Sequence, residues 1–392
     1  MQRSLIFRRY KYTLFLIPAL FSILGIRAQV DSLIKKLPEI LFKSYNIEQL
    51  RGTAISQRID SLLHPVLHIG GYVSTYYAHY DALPEDNGFV LFPTLAPRSD
   101  QFSLNMALIN FDYRSSNMRA AITLHYGDVP ESSWPETFNL IQEARAGFKL
   151  LPGLWFDAGF FKTHIGLESF QPRENIASSM SIPNYYDPYY LSGVKLTYQL
   201  NRKWMVQVGA FNGYNEYLDN NKNKAFDFSC NYNPNRYLSI TYNFLTCDES
   251  PDSVRTSHQR YYNNMYGSYT RGLWKIGIDL NFGLQENSLK SDKNKMALLG
   301  GAVLVAEYQL LKKLAVYGRG ELFSDPSQVL TGKLNTGRGI NGVTLGTEFK
   351  PVSTAGISLE WRLLQAGENI FRQVNGRTNV RNEFIICLDL WF

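Results

Sequence analysis

Past its N-terminus the chain lacks any apolar run long enough to cross a bilayer as a helix, so helical spans are excluded for residues 29–392. Cysteine is scarce, with Cys230, Cys247 and Cys387 the only three. If Cys230 and Cys247 flank a turn at Pro234-Asn235, they lie roughly 26 Å apart along the strands at about 3.3 Å per residue, so no disulfide is expected. A zinc site needs clustered ligands, and the six histidines and three cysteines form no cluster. No cofactor is implied. Catalytic patterns are missing as well. Serine is plentiful without a G-x-S-x-G elbow, and Gly339-Ile340-Asn341-Gly342 does not continue as a nucleotide loop. His64 and His68 are four apart, but Pro65 breaks the helix that would align them. His79, His125 and His164 fall near one rim on strands that do not guarantee proximity. The reading is therefore not an enzyme. Charge is also low, at 19% of residues, and the net +6 is misleading. Arg3, Arg8, Arg9, Lys11 and Arg27 supply five of those charges, whereas residues 66–392 hold 30 of each sign. A neutral body with no basic-aromatic motif excludes nucleic acid as a partner.

What the chain has in quantity is aromatic side chains, 25 Tyr and 24 Phe, and a change of period along its length. Residues 1–28 carry basic residues, then a greasy core from about Tyr12 to Ile26, then a cleavage point at Ala28-Gln29, which together read as a signal peptide. Residues 29–65 form a helical N-terminal segment in which Leu33, Ile34, Leu37, Ile40 and Leu41, then Ile55, Ile59, Leu62 and Leu63, recur at helical spacing around Pro38. From Leu67 the period becomes two. Tight turns at Ser115-Ser116-Asn117, Pro152-Gly153, Asn201-Arg202, Pro234-Asn235, Arg271-Gly272, Lys312-Lys313 and Pro351-Val352 alternate with long polar loops near 81–100, 128–137, 165–186, 216–222, 248–257, 287–295, 325–337 and 366–377. Seven turns and eight loops join sixteen strands. The fold class is all-β, an antiparallel transmembrane β-barrel of about sixteen strands over 66–392.

A membrane barrel turns its apolar side to lipid and its polar side to the lumen, so parity assigns faces. Met118, Ala120, Ile122, Leu124 and Tyr126 face lipid while Arg119, Thr123 and His125 face inward. Trp274, Ile276, Ile278, Leu280 and Phe282 face outward, and so do Ala355, Ile357, Leu359, Trp361 and Leu363. The same rule makes Arg119, Arg145, Lys149, Lys195, Lys275, Arg319, Lys350, Arg362 and Arg381 the inward bases. The inward acids are Glu143, Asp157, Asp279, Glu307, Glu321, Glu348, Glu360, Glu383 and Asp389. With His125 these are the pore-lining candidates. Nine of each sign predict a lumen without strong ion preference unless the signs are segregated. The chain ends on a strand with Phe384, Ile386, Leu388, Leu390 and Phe392 on one face.

Segments G-G-Y-V-S-T-Y-Y-A-H-Y (70–80), Q-F-S-L-N-M-A-L-I-N-F-D-Y (101–113), M-R-A-A-I-T-L-H-Y-G-D (118–128) and Q-E-A-R-A-G-F-K-L-L-P-G-L-W-F-D-A-G-F-F-K-T-H-I-G (142–166) resemble the OmpL-like β-barrel porin family of Bacteroidota outer membranes. The run S-G-V-K-L-T-Y-Q-L-N-R-K-W (192–204) extends the likeness, which is clear over about 68–215. It implies a Gram-negative outer-membrane channel, reached after signal-peptide cleavage, and supplies no catalytic residues. Likeness to outer-membrane proteins implies that the C-terminal aromatic strand is read by the barrel-assembly machinery. Likeness to general porins implies that the third long loop, about Ile165 to Tyr186, folds inward as the constriction, with Glu168, Gln171, Arg173 and Glu174 its candidates. The implied function is passive diffusion of small hydrophilic solutes, with lipopolysaccharide and two further copies in a trimer as partners. A barrel with a plugged lumen that anchors an adhesion or assembly complex is the alternative.

Overall fold

The structure, a computed structural model, describes residues 66–392 apart from 93, 94 and 220. The signal peptide and the helical segment 29–65 lie outside the described residues. Sixteen strands close into one antiparallel barrel. In chain order they are β1 (Val66–Tyr80), β2 (Gln101–Arg114), β3 (Met118–Tyr126), β4 (Ile141–Leu151), β5 (Leu154–Lys162), β6 (Tyr190–Gln199), β7 (Trp204–Phe211), β8 (Ala225–Asn235), β9 (Leu238–Cys247), β10 (Arg260–Arg271), β11 (Trp274–Gln285), β12 (Ala297–Leu311), β13 (Leu314–Ser324), β14 (Ile340–Val352), β15 (Ala355–Ala366) and β18 (Val380–Trp391). The C-terminal strand closes the ring. β18 pairs with β1 from Tyr72↔Trp391 to Tyr80↔Glu383 and with β15 from Ala355↔Leu390 to Gln365↔Val380. Closure satisfies every strand edge, as a hydrocarbon surround requires.

The alternation follows from the period of two. Met118, Ile122, Leu124 and Tyr126 are exposed on β3 while Ala121, Thr123 and His125 are buried. The same holds on β11, where Ile276, Ile278, Leu280 and Phe282 are exposed between the buried Gly277, Asp279, Asn281 and Gly283. Among the described residues no helix is long and apolar enough to cross a membrane.

Two details differ from the sequence expectation. Pro234 and Pro351, read as turn residues, lie inside β8 and β14. The turns themselves fall at Arg236-Tyr237 and Ser353-Thr354. Each proline sits where the register shifts, between Tyr232 and Asn235 and between Phe349 and Val352, and such a bulge tolerates a residue without an N–H. The eighth loop is not wholly irregular. It contains a hairpin of β16 (Phe371–Gln373) and β17 (Gly376–Thr378). The three cysteines are free thiols.

Candidate functional site

Loop 3, residues 163–189 between β5 and β6, folds into the barrel and is bonded to its inner wall. Its first turn starts on the β7–β11 wall. The His164 Nε2 lies 2.8 Å from Asp227 Oδ2, beside the Gln207 amide. The Gly166 N–H donates to Asn264 Oδ1 at 3.1 Å and the Leu167 N–H to Asp279 Oδ2 at 2.7 Å. Further on, the Ser178 and Ser179 N–H groups donate to Glu360 Oε2 at 2.9 and 3.2 Å, and the Ile182 N–H donates to Glu321 Oε2 at 2.6 Å. A backbone segment without a ladder of its own must place its N–H groups somewhere, and here wall carboxylates accept them. A short helix, α1 (Asp128–Ser133), lies in loop 2, and another, α2 (Ile182–Tyr185), is capped by Ser181 in loop 3.

Buried charge ties the loop to the wall. Arg319 Nη1 donates to Glu168 Oε1 at 2.9 Å, and Arg319 Nη2 lies 3.4 Å from Glu321 Oε1. Arg362 grips both oxygens of Glu321 at 2.9 and 3.0 Å. Glu383 lies 3.5 Å from Arg362 and accepts from Arg381 at 2.6 Å. The result is an Arg–Glu–Arg–Glu–Arg row across β13, β15 and β18 with Glu168 as the loop's contribution. Buried charges are stable only when paired and hydrogen-bonded; every charge in this row is paired, with the buried Arg319 Nε left without a hydrogen-bond partner among the described residues. Glycine makes the room. A Cβ on Gly342 would fall 2.6 Å from Glu321, and one on Gly147 would fall 2.2 Å from the Asp157 carboxylate that holds Arg119.

A second polar layer spans three neighbouring strands, with Asn281 on the inward face that parity assigns it. Asn243, Asn264 and Asn281 are mutual register partners on β9, β10 and β11. Asn243 Nδ2 donates to Asn264 Oδ1 at 2.9 Å, and Asn264 Nδ2 donates to Asn281 Oδ1 at 2.6 Å. Inward parity plus one amide per strand at matching distance from the turns was the available signal.

The structure separates the pore-lining candidates into two groups. His125, Asp157, Asp279, Glu307, Arg319, Glu321, Glu360, Arg362, Arg381 and Glu383 point inward but are buried, as is Asp389. Parity places a side chain on the lumen face, yet says nothing of what covers it. His125 lies under Trp134, edge-on at 4.7 Å, and Tyr72 donates to Asp389 at 2.6 Å. Arg119, Glu143, Arg145, Lys149, Lys195, Lys275, Glu348 and Lys350 keep contact with solvent. Of the constriction candidates, Glu168 and Gln171 are buried anchors, Gln171 donating to Gln142 at 3.0 Å. Arg173 and Glu174 are exposed, the first over the Tyr72 ring at 5.2 Å and the second paired with Lys162. The three rim histidines have separate partners, His79 with Asp100, His125 with Gln142 and His164 with Asp227.

Loop 3 also carries an acid whose ionisation opposes docking. Asn184 Nδ2 bridges Asp187 Oδ2 at 2.9 Å and Asp279 Oδ2 at 2.6 Å, and the Tyr262 hydroxyl donates to Asp187. Burial first, and the neighbouring Asp279 charge second, push the Asp187 carboxyl well above the ordinary carboxylate range. A raised carboxyl pKa means its contribution is full below the unfolded value of about 3.9 and is lost as pH rises through the folded value. Docking of loop 3 therefore tightens on acidification. Hydrogen exchange of 163–189, corrected for intrinsic rate, is expected to slow from about pH 8 to about pH 5, and Asp187→Asn should flatten that trend. A trend of opposite sign, or one unchanged in the variant, removes Asp187 as its source.

Compared with family profiles, residues 66–392 match the family described as "Putative beta-barrel porin-2, OmpL-like". No curated protein matches the chain. Solved structures share the fold at low identity. The outer membrane channel DcaP of Acinetobacter baumannii is 10% identical with a TM-score of 0.60, over 84% of this chain and 97% of that one. OmpF of Salmonella typhi, in complex with daunomycin, is 13% identical with a TM-score of 0.58, over 83% and 97%. OmpT of Vibrio cholerae, in a trimer form, is 13% identical with a TM-score of 0.55, over 84% and 100%.

Proposed function

Since the chain belongs to the OmpL-like β-barrel porin family, matched over residues 66–392, we propose that it is an outer-membrane porin through which small hydrophilic solutes diffuse passively. The porin family and fold are those of channels rather than enzymes. The observation that carries the proposal is loop 3 bonded across the inner wall of a closed sixteen-strand barrel. A barrel of that strand number encloses an aqueous lumen, and an inward loop narrows it. Arg173 and Glu174, exposed on the loop, are the constriction side chains that meet solute. In a planar bilayer the purified protein should give steady conductance steps; insertion without steps overturns the porin reading.

A plugged barrel that anchors an assembly is the second reading. It is favoured by the packing of several loops into one apolar cluster. Phe92 of loop 1, Ile182 and Tyr186 of loop 3, Leu334 of loop 7 and Phe371 of β16 meet Phe323, Ile340 and Leu364 from the strands. Insertion without conductance selects this reading. In either case the protein reaches the outer membrane after loss of residues 1–28, through the barrel-assembly machinery, and sits among lipopolysaccharide. A homotrimer is supported by the trimeric form of the OmpT neighbour.

A further inference from the structure

We infer that the lumen is an anion-attracting vestibule open to the short-turn side, and that the porin's preferred solutes are small anions such as phosphate and carboxylates. This rests on the porin reading only in requiring a lumen that water enters from that side. By sequence the wall is neutral, with nine inward bases and nine inward acids. Burial breaks the balance. Seven of the nine acids are buried, leaving Glu143 and Glu348, whereas only three of the nine bases are buried. Of these candidates, solvent in the lumen therefore meets six cations, Arg119, Arg145, Lys149, Lys195, Lys275 and Lys350, and two carboxylates, while Arg114 and Asp112, paired on the same face at 2.6 Å, add one charge of each sign.

Pairing does not cancel this. Arg119 is held by Asp157 behind it, and Lys275 by Glu307 at 2.8 Å, and both acids are buried. In each pair the acid is recessed and the cation stands between it and water. Glu143 and Glu348 are themselves engaged, by Arg145 at 2.6 Å and Lys350 at 2.8 Å. Lys149 and Lys195 have no carboxylate partner among the described residues; they lie over the rings of Trp155 at 5.0 Å and Phe161 at 4.5 Å. Arg119 also lies over the Trp155 ring, at 4.5 Å. Two cations against one luminal indole leave donors free for an oxyanion.

The rim extends the field. The seven short connections contain Arg202, Lys203, Arg236, Lys312 and Lys313, all exposed, and no acid. The eight long loops have the reverse bias, nineteen acids against twelve bases. The acids displaced from the lumen surface and the turns reside in the long loops and under loop 3. A low-dielectric wall lined by one sign focuses that potential into the water it encloses.

The test has two independent readouts. In a bilayer under a KCl gradient near 0.1 M, the reversal potential should show anions favoured by about threefold or more, falling toward unity near 1 M as the Debye length shrinks to about 3 Å. The double variant Lys149→Glu, Lys195→Glu should reduce or invert the preference. Cation preference, or none at low salt, overturns the proposal. The second readout is fluorescence of Trp155 in uncharged detergent, isolated by subtracting a Trp155→Phe variant. Iodide should quench it more than caesium does, each scaled to its quenching of free tryptophan amide. Equal quenching, or caesium favoured, overturns the proposal. A silent barrel with iodide-favoured quenching retains the anionic vestibule and rejects the porin reading, so the two fail separately.

Discussion

Replacing Arg319 with methionine is expected to release the middle of loop 3 while leaving the barrel closed. Arg319 is fully buried and donates to Glu168, to Ser179 and to Thr344. Without it the Glu168 carboxylate, 3% exposed, keeps only the Ser181 N–H at 2.6 Å. Breaking one side of a buried ion pair costs about 3–5 kcal/mol, because the remaining charge stays desolvated. The cheapest relief is for Glu168 to reach water, which carries residues 168–182 off the wall. Single-channel conductance should rise severalfold, and limited proteolysis should cut within that segment. Migration of the unboiled protein on gels should not change, since no ladder hydrogen bond involves the Arg319 side chain. Lys350→Met is the control. Its pair with Glu348 is solvent-exposed, at 42% and 24%, and such pairs contribute about 0–1 kcal/mol. Pairing Arg319→Met with Glu168→Gln removes the stranded charge and should restore docking. If the single variant keeps a protected loop and wild-type conductance, the loop is held by its backbone donors to Asp279, Glu321 and Glu360 instead.

The same loop shows where sequence reading stops. Strand count, connection order and lipid face follow from a period of two, because lipid imposes one rule on every outward side chain. The inward face obeys no single rule. Glu168 and Glu174 are both loop acids six residues apart, yet one is buried against Arg319 and the other exposed beside Lys162. Nothing local distinguishes them; Glu168 is buried by Arg319, 151 positions further along the chain. Charge balance was legible as a count, but its meaning depended on which acids loop 3 covers. Some missed features did carry local signals. Asn375-Gly376 inside Phe371–Thr378 marks a hairpin by sequence, although the chain turns on Val374-Asn375 and Gly376, with a positive φ of 113°, pairs with Gln373. Gly147 beside Asp157 and Gly342 beside Glu321 are inward glycines at the register of buried acids. They become readable once the strand pairing is known.

Removing Val380–Phe392 is expected to abolish the barrel altogether. Among the described residues β18 is the only element that joins β1 to β15. Without it two full edges, Tyr72–Tyr80 and Ala355–Gln365, would present unpaired N–H and C=O groups to hydrocarbon, at several kcal/mol for each unsatisfied group. No side-chain repacking offsets that, so the truncated chain should show no heat-modifiable form even after refolding in detergent. A single lipid-face charge is a milder insult. Ile386 is 50% exposed near the middle of the β15 pairing, and Ile386→Arg should cost about 2–4 kcal/mol with the ladder intact. Phe392 separates folding from recognition. It lies beyond the last ladder pair and is 72% exposed, so Phe392→Ala should refold in vitro like the parent. Loss of that variant from outer membranes in cells, with refolding unchanged, would assign Phe392 to recognition by the assembly machinery. Loss in both settings would give it a structural role that the strand pairing does not supply.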